Sequence, residues 1–394
     1  MFLQRLRDTN PGLAAAALRL HREGLVRANT YLIDLDGTHA NASIMAAEAA
    51  KHGLSLYVMA KQFGRNPDAL RTIAAAGIDS AVCVDVQCME AVRRSGVRIG
   101  HVGHLVQPHR GTEDAVIAAT PEVVTAFDVE IAGRLAAAAR RAGRVQDVLL
   151  RVRGPQDTYY FGHAGGFPLG TIEKAAAEVE ALSGLRVRGV TNFPCMLADA
   201  ATKTVKATRN FETVLEAAAR LRTAGFEITQ VNAPGTTSAG TFAEQARLGA
   251  THVEPGNGFH GTTPLHVLDP SQPEVPTIVY VSEVSHLDGE DAYVFAAGYY
   301  IDKVLGDYRL TALVGAHEEP LEVETADAGT IHYYCRIPGA RSRGVRVGET
   351  VVFCFRPQVF VTRGRTQAVA GIRGGALDLR EVYDGEARSA DGVA

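Results

Sequence analysis

Between about residue 30 and residue 255, short β-branched runs alternate with Ala-rich stretches of helical periodicity. Strands that are separated by helices run parallel, because each crossover returns the chain to the same end of the sheet. Eight or nine such repeats favour a (β/α)8 barrel of the TIM type over an open sheet. The predicted strands are Thr30–Asp34, Leu56–Ala60, Ser80–Val84, Ile99–Val106, Val123–Phe127, Val148–Val152, Arg186–Thr191, Ile228–Val231 and Thr251–Glu254.

Two of the intervening helices carry clear end signals. Asn66 and Pro67 form an N-cap followed by a proline at the first helical position, and Gly77 ends that helix. A second helix begins at Asn210 and ends at Gly225. Its apolar face consists of Phe211, Val214, Leu215, Ala218 and Leu221.

The pattern changes after Pro264. Leu265–Pro276 carries three prolines and is typical of a connection, and from Thr277 onward the apolar runs alternate like strands between Gly and Pro residues. We therefore predict two domains. Residues 1–268 form the barrel with a short N-terminal helical extension, and residues 269–394 form a mostly β domain.

Composition excludes several classes of partner. The net charge of −4, from 40 Lys and Arg against 44 Asp and Glu, gives no electrostatic reason to expect nucleic acid. No apolar run approaches the roughly 18–20 residues that span a membrane, and the N-terminus lacks a signal-peptide pattern, so we expect a cytoplasmic protein. The cysteines have neither disulfide-framework nor zinc-site spacing, so no structural metal is expected. They are Cys83, Cys88, Cys195, Cys335 and Cys354.

Lys61 is the first candidate for chemistry. It ends an apolar predicted strand, and in a barrel the carboxyl ends of the strands form the catalytic rim. A partly desolvated lysine there can act as a nucleophilic amine. The alternative is a strand-end lysine that extends its ammonium group into solvent.

Two Gly-rich turns follow the last two predicted strands. Gly235–Gly240 (GTTSAG) precedes the helix predicted over Thr241–Leu248, and Glu254–Gly258 (EPGNG) follows the final strand. Backbone N–H groups at a helix N-terminus bind phosphate, and barrels build phosphate sites from these two loops. Together the turns predict a phosphate cradle.

These motifs, in this order, resemble the fold-type III pyridoxal-phosphate enzymes, whose barrels are alanine racemase-like, and within them a YhfX-like subgroup. TYLIDLDGTHANASIM is similar to the first strand and helix of that family, VMAK to its lysine strand, RGVTNFPCM to its seventh strand and THVEPGNGFHGTTP to its phosphate turn. The resemblance implies pyridoxal 5′-phosphate (PLP) as cofactor, a small amino-acid or amine substrate, and a homodimer with composite active sites.

Carried over to this sequence, the resemblance implies that Lys61 holds PLP as an internal aldimine. It also implies that Glu254 faces the pyridine nitrogen, as in the decarboxylases of the family, where alanine racemases have arginine. Arg151 stands about where alanine racemases carry a lysine, and Asn192 replaces a ring-packing histidine. The phosphate would be surrounded by Thr236, Thr237, Ser238, Gly256 and Asn257.

The resemblance further implies a second acid–base group from the β domain of the partner subunit. Tyr299 or Tyr300 is preferred, with Cys354 as the alternative that a decarboxylase would use. His163, in a Gly-rich stretch, either meets cofactor or substrate or is solvated. The His-x-Cys metal pair of related D-threonine aldolases and D-serine dehydratases is absent, because neither Cys335 nor Cys354 has a histidine two residues before it.

We therefore expect a PLP-dependent amino-acid racemase or epimerase. A PLP-dependent decarboxylase and a non-catalytic PLP-binding protein of cofactor homeostasis are the alternatives, together with a barrel whose site has decayed.

Overall fold

The computed structural model describes residues 1–296, 298, 300, 309–326 and 332–390. These residues form two compact units, each discontinuous in sequence. The barrel unit comprises Ala42–Ala60 and Ile73–Gly256. The β unit comprises Met1–Asn41, Lys61–Thr72 and Asn257–Ala394.

The barrel unit contains a nearly closed parallel sheet, as predicted. Ser55–Leu56 pairs with His252–Val253, Val58–Met59 pairs with Ser80–Cys83, and Tyr57 alone separates the two short strands. The sheet therefore closes on itself. If Ser55–Leu56 and Val58–Met59 are counted as one interrupted strand, eight strands form the barrel. Starting from Ser55–Leu56, the order is His252–Val253, Gln230–Asn232, Leu185–Thr191, Gln146–Arg153, Val123–Ala126, Arg98–Val102, Ser80–Cys83 and Val58–Met59.

The prediction that Thr30–Asp34 is a strand of the barrel was wrong. Thr30–Asp34 pairs antiparallel with Ile278–Asp288 and parallel with Arg365–Ala370, in the sheet of the β unit. A short apolar strand followed at once by the helix Leu35–Lys51 has the local pattern of a βα unit, and that pattern does not specify the sheet that the strand joins. Lys61 consequently follows the first barrel strand, not the second.

Helices follow the barrel strands and bury one apolar face each. They are Val86–Ser95, Glu113–Ala118, Val129–Arg141, Ile172–Ala181, Arg209–Thr223 and Ala239–Leu248. Asp85 and Asp128 cap two of them by accepting from backbone N–H groups of the first turn. The unit also contains the hairpin Met196–Asp199 and Thr204–Ala207, the short strand Phe167–Pro168 and the 3-10 turn Leu169–Thr171.

The β unit is built on a mixed sheet. Its strand order is Leu321–Val323, Leu310–Val314, Thr350–Phe353, Ile278–Asp288, Thr30–Asp34, Arg365–Ala370 and Asp378–Tyr383. Asp291–Phe295 pairs with Ile278–Asp288, and Tyr334–Ile337 pairs with Asp291–Phe295. Its other helices are Pro67–Ala75, most of which belongs to this unit, and Pro264–Leu268. Its 3-10 turns are Ala60–Phe63, Asn257–His260 and Val359–Val361.

The N-terminal helices Phe2–Thr9 and Pro11–Arg22 pack in the core of the β unit. Leu6 and Leu13 are fully buried in one apolar cluster with Val281 and Val352 of the sheet. The predicted division at residue 268 groups these helices with the barrel, whereas their apolar faces are covered by the β sheet. No helix in the described part of the chain is long and apolar enough to cross a membrane.

Candidate active site

The candidate functional side chains of the barrel unit lie where its strands end. All eight strands run parallel, so their carboxyl ends share one rim. Glu254 directly follows His252–Val253, Asn232 ends its strand, and Arg151 lies near the end of Gln146–Arg153. Asn192 follows Leu185–Thr191 by one residue.

Glu254 is a fully buried carboxylate, not a surface glutamate. Its Oε1 accepts hydrogen bonds from His101 Nδ1 at 2.6 Å and from Asn232 Nδ2 at 2.7 Å. His104 Nδ1 lies 3.2 Å from Oε2, and Oε2 itself accepts no hydrogen bond. His101 lies in the strand Arg98–Val102 and His104 in the loop after it, whereas Asn232 ends the strand Gln230–Asn232.

The two imidazoles keep the Glu254 carboxyl ionised. Burial raises its pKa. The nearby His104 and His101, together with the hydrogen bonds from His101 and Asn232, lower the pKa by more than burial raises it, to about 2. A carboxylate that accepts two N–H bonds beside histidines is stabilised in its charged form. At neutral pH the structure therefore holds a buried negative charge at the end of the last barrel strand.

The loop after Gln230–Asn232 leads into the N-terminus of the ten-residue helix Ala239–Leu248. This helix begins two residues earlier than predicted. Ser238 is its N-cap residue and is fully buried, and its side chain faces the backbone of Thr241 in a capping box. The contact does not reach hydrogen-bond geometry, and the hydroxyl group donates to no acceptor among the described residues. Thr237 is also buried and donates to the Gly235 carbonyl at 3.1 Å. Thr236 is partly exposed, and its backbone N–H donates a hydrogen bond to the Met196 carbonyl.

Arg151 is a buried cation without a carboxylate within ion-pair distance among the described residues. Its guanidinium group lies over the ring of Phe127, 4.8 Å from the centroid, and donates to the His163 carbonyl at 2.7 Å. Burial lowers the pKa of Arg151 from its usual value, against the opposing effect of Tyr159. A buried guanidinium group with aromatic neighbours is suited to bind an anionic group of a ligand.

Asn192 belongs to a polar network that fixes the loop after Gln146–Arg153. Its amide donates to Asp157 at 2.7 Å and accepts from Asn210 at 3.3 Å. Asp157 also accepts from Tyr159 and Thr213 at 3.0 and 2.7 Å. The next residue, Phe193, contributes a ring 5.6 Å from that of His104.

Lys61 and Asn257 belong to the β unit. Lys61 lies in the 3-10 turn Ala60–Phe63 immediately after the strand Val58–Met59, and its Nζ is 4.9 Å from the centroid of Phe360. Asn257 is buried and its amide nitrogen has no hydrogen-bond partner. Gly256, the residue before it, is the last residue of the barrel unit.

The remaining candidates differ in accessibility. Tyr300 is 47% exposed, and Tyr299 lies outside the described residues. Cys354 is buried, and burial raises the pKa of its thiol to about 12. The ring of His163 is partly buried beside Phe193, 6.1 Å between centroids.

Sequence analysis missed His101 and His104. They lie in the run IGHVGH, and two histidines three residues apart at the end of an apolar strand are the sequence signal that indicates them. With Glu254, their ligand atoms lie within 4.8 Å of one another, which makes them a buried triad of metal-binding residue types.

Comparison with known proteins identifies the family. Residues 33–264 match the family described as alanine racemase, N-terminal domain, and residues 279–379 match the YhfX-like C-terminal domain. The chain belongs to the alanine racemase-like family. It is 36% identical over 389 residues to the uncharacterized protein YhfX of Escherichia coli strain K12, an alignment that covers 98% of both chains.

Solved structures share the fold of this alanine racemase-like chain. D-threonine aldolase from Filomicrobium marinum superposes with a TM-score of 0.69 at 20% identity, over 92% of this chain and 96% of that one. D-threo-3-hydroxyaspartate dehydratase from Delftia sp. HT23 gives 0.66 at 16% identity, over 89% and 96%. Alanine racemase from Corynebacterium glutamicum gives 0.59 at 18% identity, over 82% and 88%.

Members of the alanine racemase-like family use PLP, and buried polar atoms of this chain fit that group. The Ser238 hydroxyl, at a helix N-terminus, can donate to a phosphate oxygen. The Glu254 Oε2, buried and without a donor, can accept from a protonated ring nitrogen. Burial of a polar atom without a partner costs free energy, so a ligand that satisfies both atoms is favoured.

Proposed function

We propose that this chain is a PLP-dependent amino-acid racemase or epimerase. The observation that carries the proposal is the position of Lys61, immediately after a barrel strand in a chain of the alanine racemase-like family. An amine at that position would hold the cofactor through its aldehyde and would accept a proton from the substrate.

The other proposed roles follow from each group's own surroundings. Ser238 and the N-terminal turn of Ala239–Leu248, with Thr236, Thr237, Gly256 and Asn257, hold the phosphate. Arg151 binds an anionic group of cofactor or substrate. Asn192 fixes the adjacent loop through Asp157 and Asn210.

PLP, when bound, acts as an electron sink that makes the substrate Cα–H acidic. Glu254 contributes by remaining ionised and accepting a hydrogen bond from the ring nitrogen, which keeps that nitrogen protonated. Lys61 removes or returns the Cα proton on one face of the substrate. We assign the other face to Tyr299 or Tyr300 of a second copy, so the proposed enzyme is a cytoplasmic homodimer with composite sites.

Decarboxylation of an amino acid is the second candidate reaction, and Glu254 favours it, since a protonated cofactor ring would withdraw electrons from Cα in either reaction. Cys354 does not add support, because its buried thiol has a pKa of about 12 and cannot exchange protons readily at neutral pH. Aldol cleavage and dehydration, the reactions named for two of the similar structures, would break the Cα–Cβ bond or the Cα–H and Cβ–O bonds of a β-hydroxy amino acid, so both would also involve Cα.

One experiment separates these reactions. PLP-loaded protein is incubated with a panel of D- and L-amino acids in deuterated water, and the products are analysed by chiral chromatography and mass spectrometry. The proposal predicts a substrate that interconverts between its enantiomers, or epimers, with deuterium at Cα. Release of carbon dioxide, an aldehyde or ammonia without interconversion would replace racemisation with the corresponding reaction. Cα exchange without any turnover would support a role in cofactor homeostasis.

A further inference from the structure

The two oxygens of the Glu254 carboxylate have different surroundings. Oε1 accepts two hydrogen bonds, from His101 at 2.6 Å and from Asn232 at 2.7 Å. Oε2 accepts none, although His104 Nδ1 lies 3.2 Å away. One oxygen is therefore saturated by the protein, and the other is kept available inside a fully buried site.

His101 is held at both ends of its ring. Nδ1 faces Glu254, and Nε2 forms a short hydrogen bond with the hydroxyl of Thr125, on the neighbouring strand Val123–Ala126. Nδ1–H donates to the carboxylate and Nε2 is the partner of the Thr125 hydroxyl, so both ring nitrogens are used. Both His101 and Thr125 are fully buried, so water does not compete for either contact.

We propose that His101, fixed by Thr125, is a positioning residue that orients Glu254 through Oε1 and leaves Oε2 as the single acceptor for a protonated ring nitrogen. This inference rests on the proposed PLP site and explains how one carboxylate is prepared for it. Asn232 supports the same oxygen from the end of its own strand. Removing His101 therefore costs Glu254 a charge-assisted donor and its fixed orientation.

The spacing of the triad favours a hydrogen-bond network over a metal site. Two ligands of one tetrahedral zinc ion, each at ~2.0–2.1 Å from the metal, stand about 3.3 Å apart. His101 Nδ1 and Glu254 Oε1 are 2.6 Å apart, which is the distance of a shared proton. The other ring nitrogen of His101 is already used by Thr125.

The test compares His101→Ala, His101→Asn and Thr125→Val in the full-length protein. The Asn amide nitrogen can take the place of imidazole Nδ1, so His101→Asn retains a donor to Glu254, whereas His101→Ala has none. His21→Ala is the matched control, because His21 is a buried histidine of the β unit that lies between the Thr350 hydroxyl, at 2.8 Å, and the Glu283 carboxylate, at 3.4 Å.

The first readout uses protein without PLP. For the wild type and each variant, the infrared spectrum is compared with that of the same protein carrying Glu254→Gln. The difference spectrum as a function of pH gives the pH at which the Glu254 carboxyl is half protonated. We expect His101→Ala to raise that pH by about one to two units, the effect of one lost charge-assisted hydrogen bond. His101→Asn restores most of the shift, Thr125→Val gives a smaller rise, and His21→Ala gives none.

The second readout is the visible absorption of bound PLP as a function of pH, which follows the protonation of the ring nitrogen. We expect its transition to move in His101→Ala and to return in His101→Asn. If wild-type protein takes up no PLP, the proposed function fails, while the infrared result still decides the role of His101. If His101→Ala does not fold, Thr125→Val provides the same comparison.

Two results would overturn the inference. One is an unchanged protonation of Glu254 in His101→Ala and Thr125→Val. The other is stoichiometric Zn²⁺ binding by the wild-type protein that is lost in His101→Ala, His104→Ala and Glu254→Gln alike, since that would identify the triad as a metal site.

Discussion

At the scale of single residues, Glu254 is the proposed site residue that differs in charge from its counterpart in alanine racemases, which is an arginine. A buried charge is tolerated only when it is paired and hydrogen-bonded, and Glu254 meets that condition through Asn232 and two histidines. The carboxylate is thus prepared before any ligand arrives. The substitution of Gln for Glu254 keeps the size of the side chain and removes the charge.

Glu254→Gln should slow Cα deprotonation by about ten- to a hundredfold. A charge-assisted hydrogen bond contributes about 1.5–3 kcal/mol, and each 1.36 kcal/mol in the barrier is about tenfold in rate. The measurement is deuterium exchange at the substrate Cα under single-turnover conditions. Glu274→Gln is the control, because Glu274 is also fully buried, 3.2 Å from His266, in the β unit. Wild-type exchange rates in Glu254→Gln would remove Glu254 from the mechanism.

The lowered pKa of Glu254 also predicts how stability depends on pH. The folded pKa is about 2 and the reference value is 4.5, so the unfolded chain binds this proton more readily. Ionised Glu254 therefore contributes stability that is fully present above about pH 4.5 and is lost as the pH falls toward 2. Urea unfolding of wild type and Glu254→Gln should show a difference in the free energy of unfolding that shrinks over that interval. A difference that is independent of pH would contradict the assignment.

Which site residues the sequence could predict depends on how local their signals are. Lys61 and Glu254 are each recognised from a few neighbouring residues. His101 and Thr125 are 24 residues apart and meet only because adjacent parallel strands bring them together. Such contacts between strands are set by sheet register, which no short motif contains.

At the scale of elements, helix starts were predicted well because caps are local. The Asn66 side chain accepts from the N–H groups of Asp68 and Ala69, as the Asn-Pro pair indicated. The strand Thr30–Asp34 was assigned to the wrong sheet because its partners, Ile278–Asp288 and Arg365–Ala370, are more than 240 residues away along the chain. For the helix Ala239–Leu248 the end was predicted at Leu248, but the start was predicted at Thr241, two residues late, and the N-cap role of Ser238 was not predicted.

Ser238→Ala should weaken PLP binding by about ten- to a hundredfold while changing the free energy of unfolding little. The hydroxyl makes only a capping-box contact that falls short of hydrogen-bond geometry, so the main loss is a hydrogen bond to a charged ligand, worth about 1.5–3 kcal/mol. Fluorescence titration with PLP and with pyridoxal, which lacks the phosphate, measures the effect. The exposed Ser342→Ala serves as control. Equal weakening of PLP and pyridoxal would place the phosphate elsewhere.

At the scale of the whole molecule, the two compact units interrupt each other in sequence. Lys61–Thr72 belongs to the β unit although barrel-unit segments lie on both sides of it in the chain. A contiguous division at residue 268 follows from the change in residue pattern, which identifies the class of each element. It does not identify the unit against which each segment packs.

We expect the protein to act as a homodimer in which each site uses groups from both copies. Inactive Lys61→Ala protein mixed with an inactive Tyr299→Phe, Tyr300→Phe double variant should regain part of the wild-type activity through hybrid dimers. Sedimentation velocity measures the assembly state in parallel. A fully active monomer, or a mixture that stays inactive although hybrid dimers form, would contradict the composite site.

The most direct test of the account is the identity of the lysine that binds PLP. The wild-type protein is loaded with PLP, reduced with borohydride and digested, and the modified peptide is mapped by mass spectrometry, with Lys51→Ala as an exposed-lysine control. We predict one stoichiometric adduct at Lys61, its retention in Lys51→Ala, and its loss together with the visible absorption of bound cofactor in Lys61→Ala. A stoichiometric adduct at another lysine, or none at all, would contradict it.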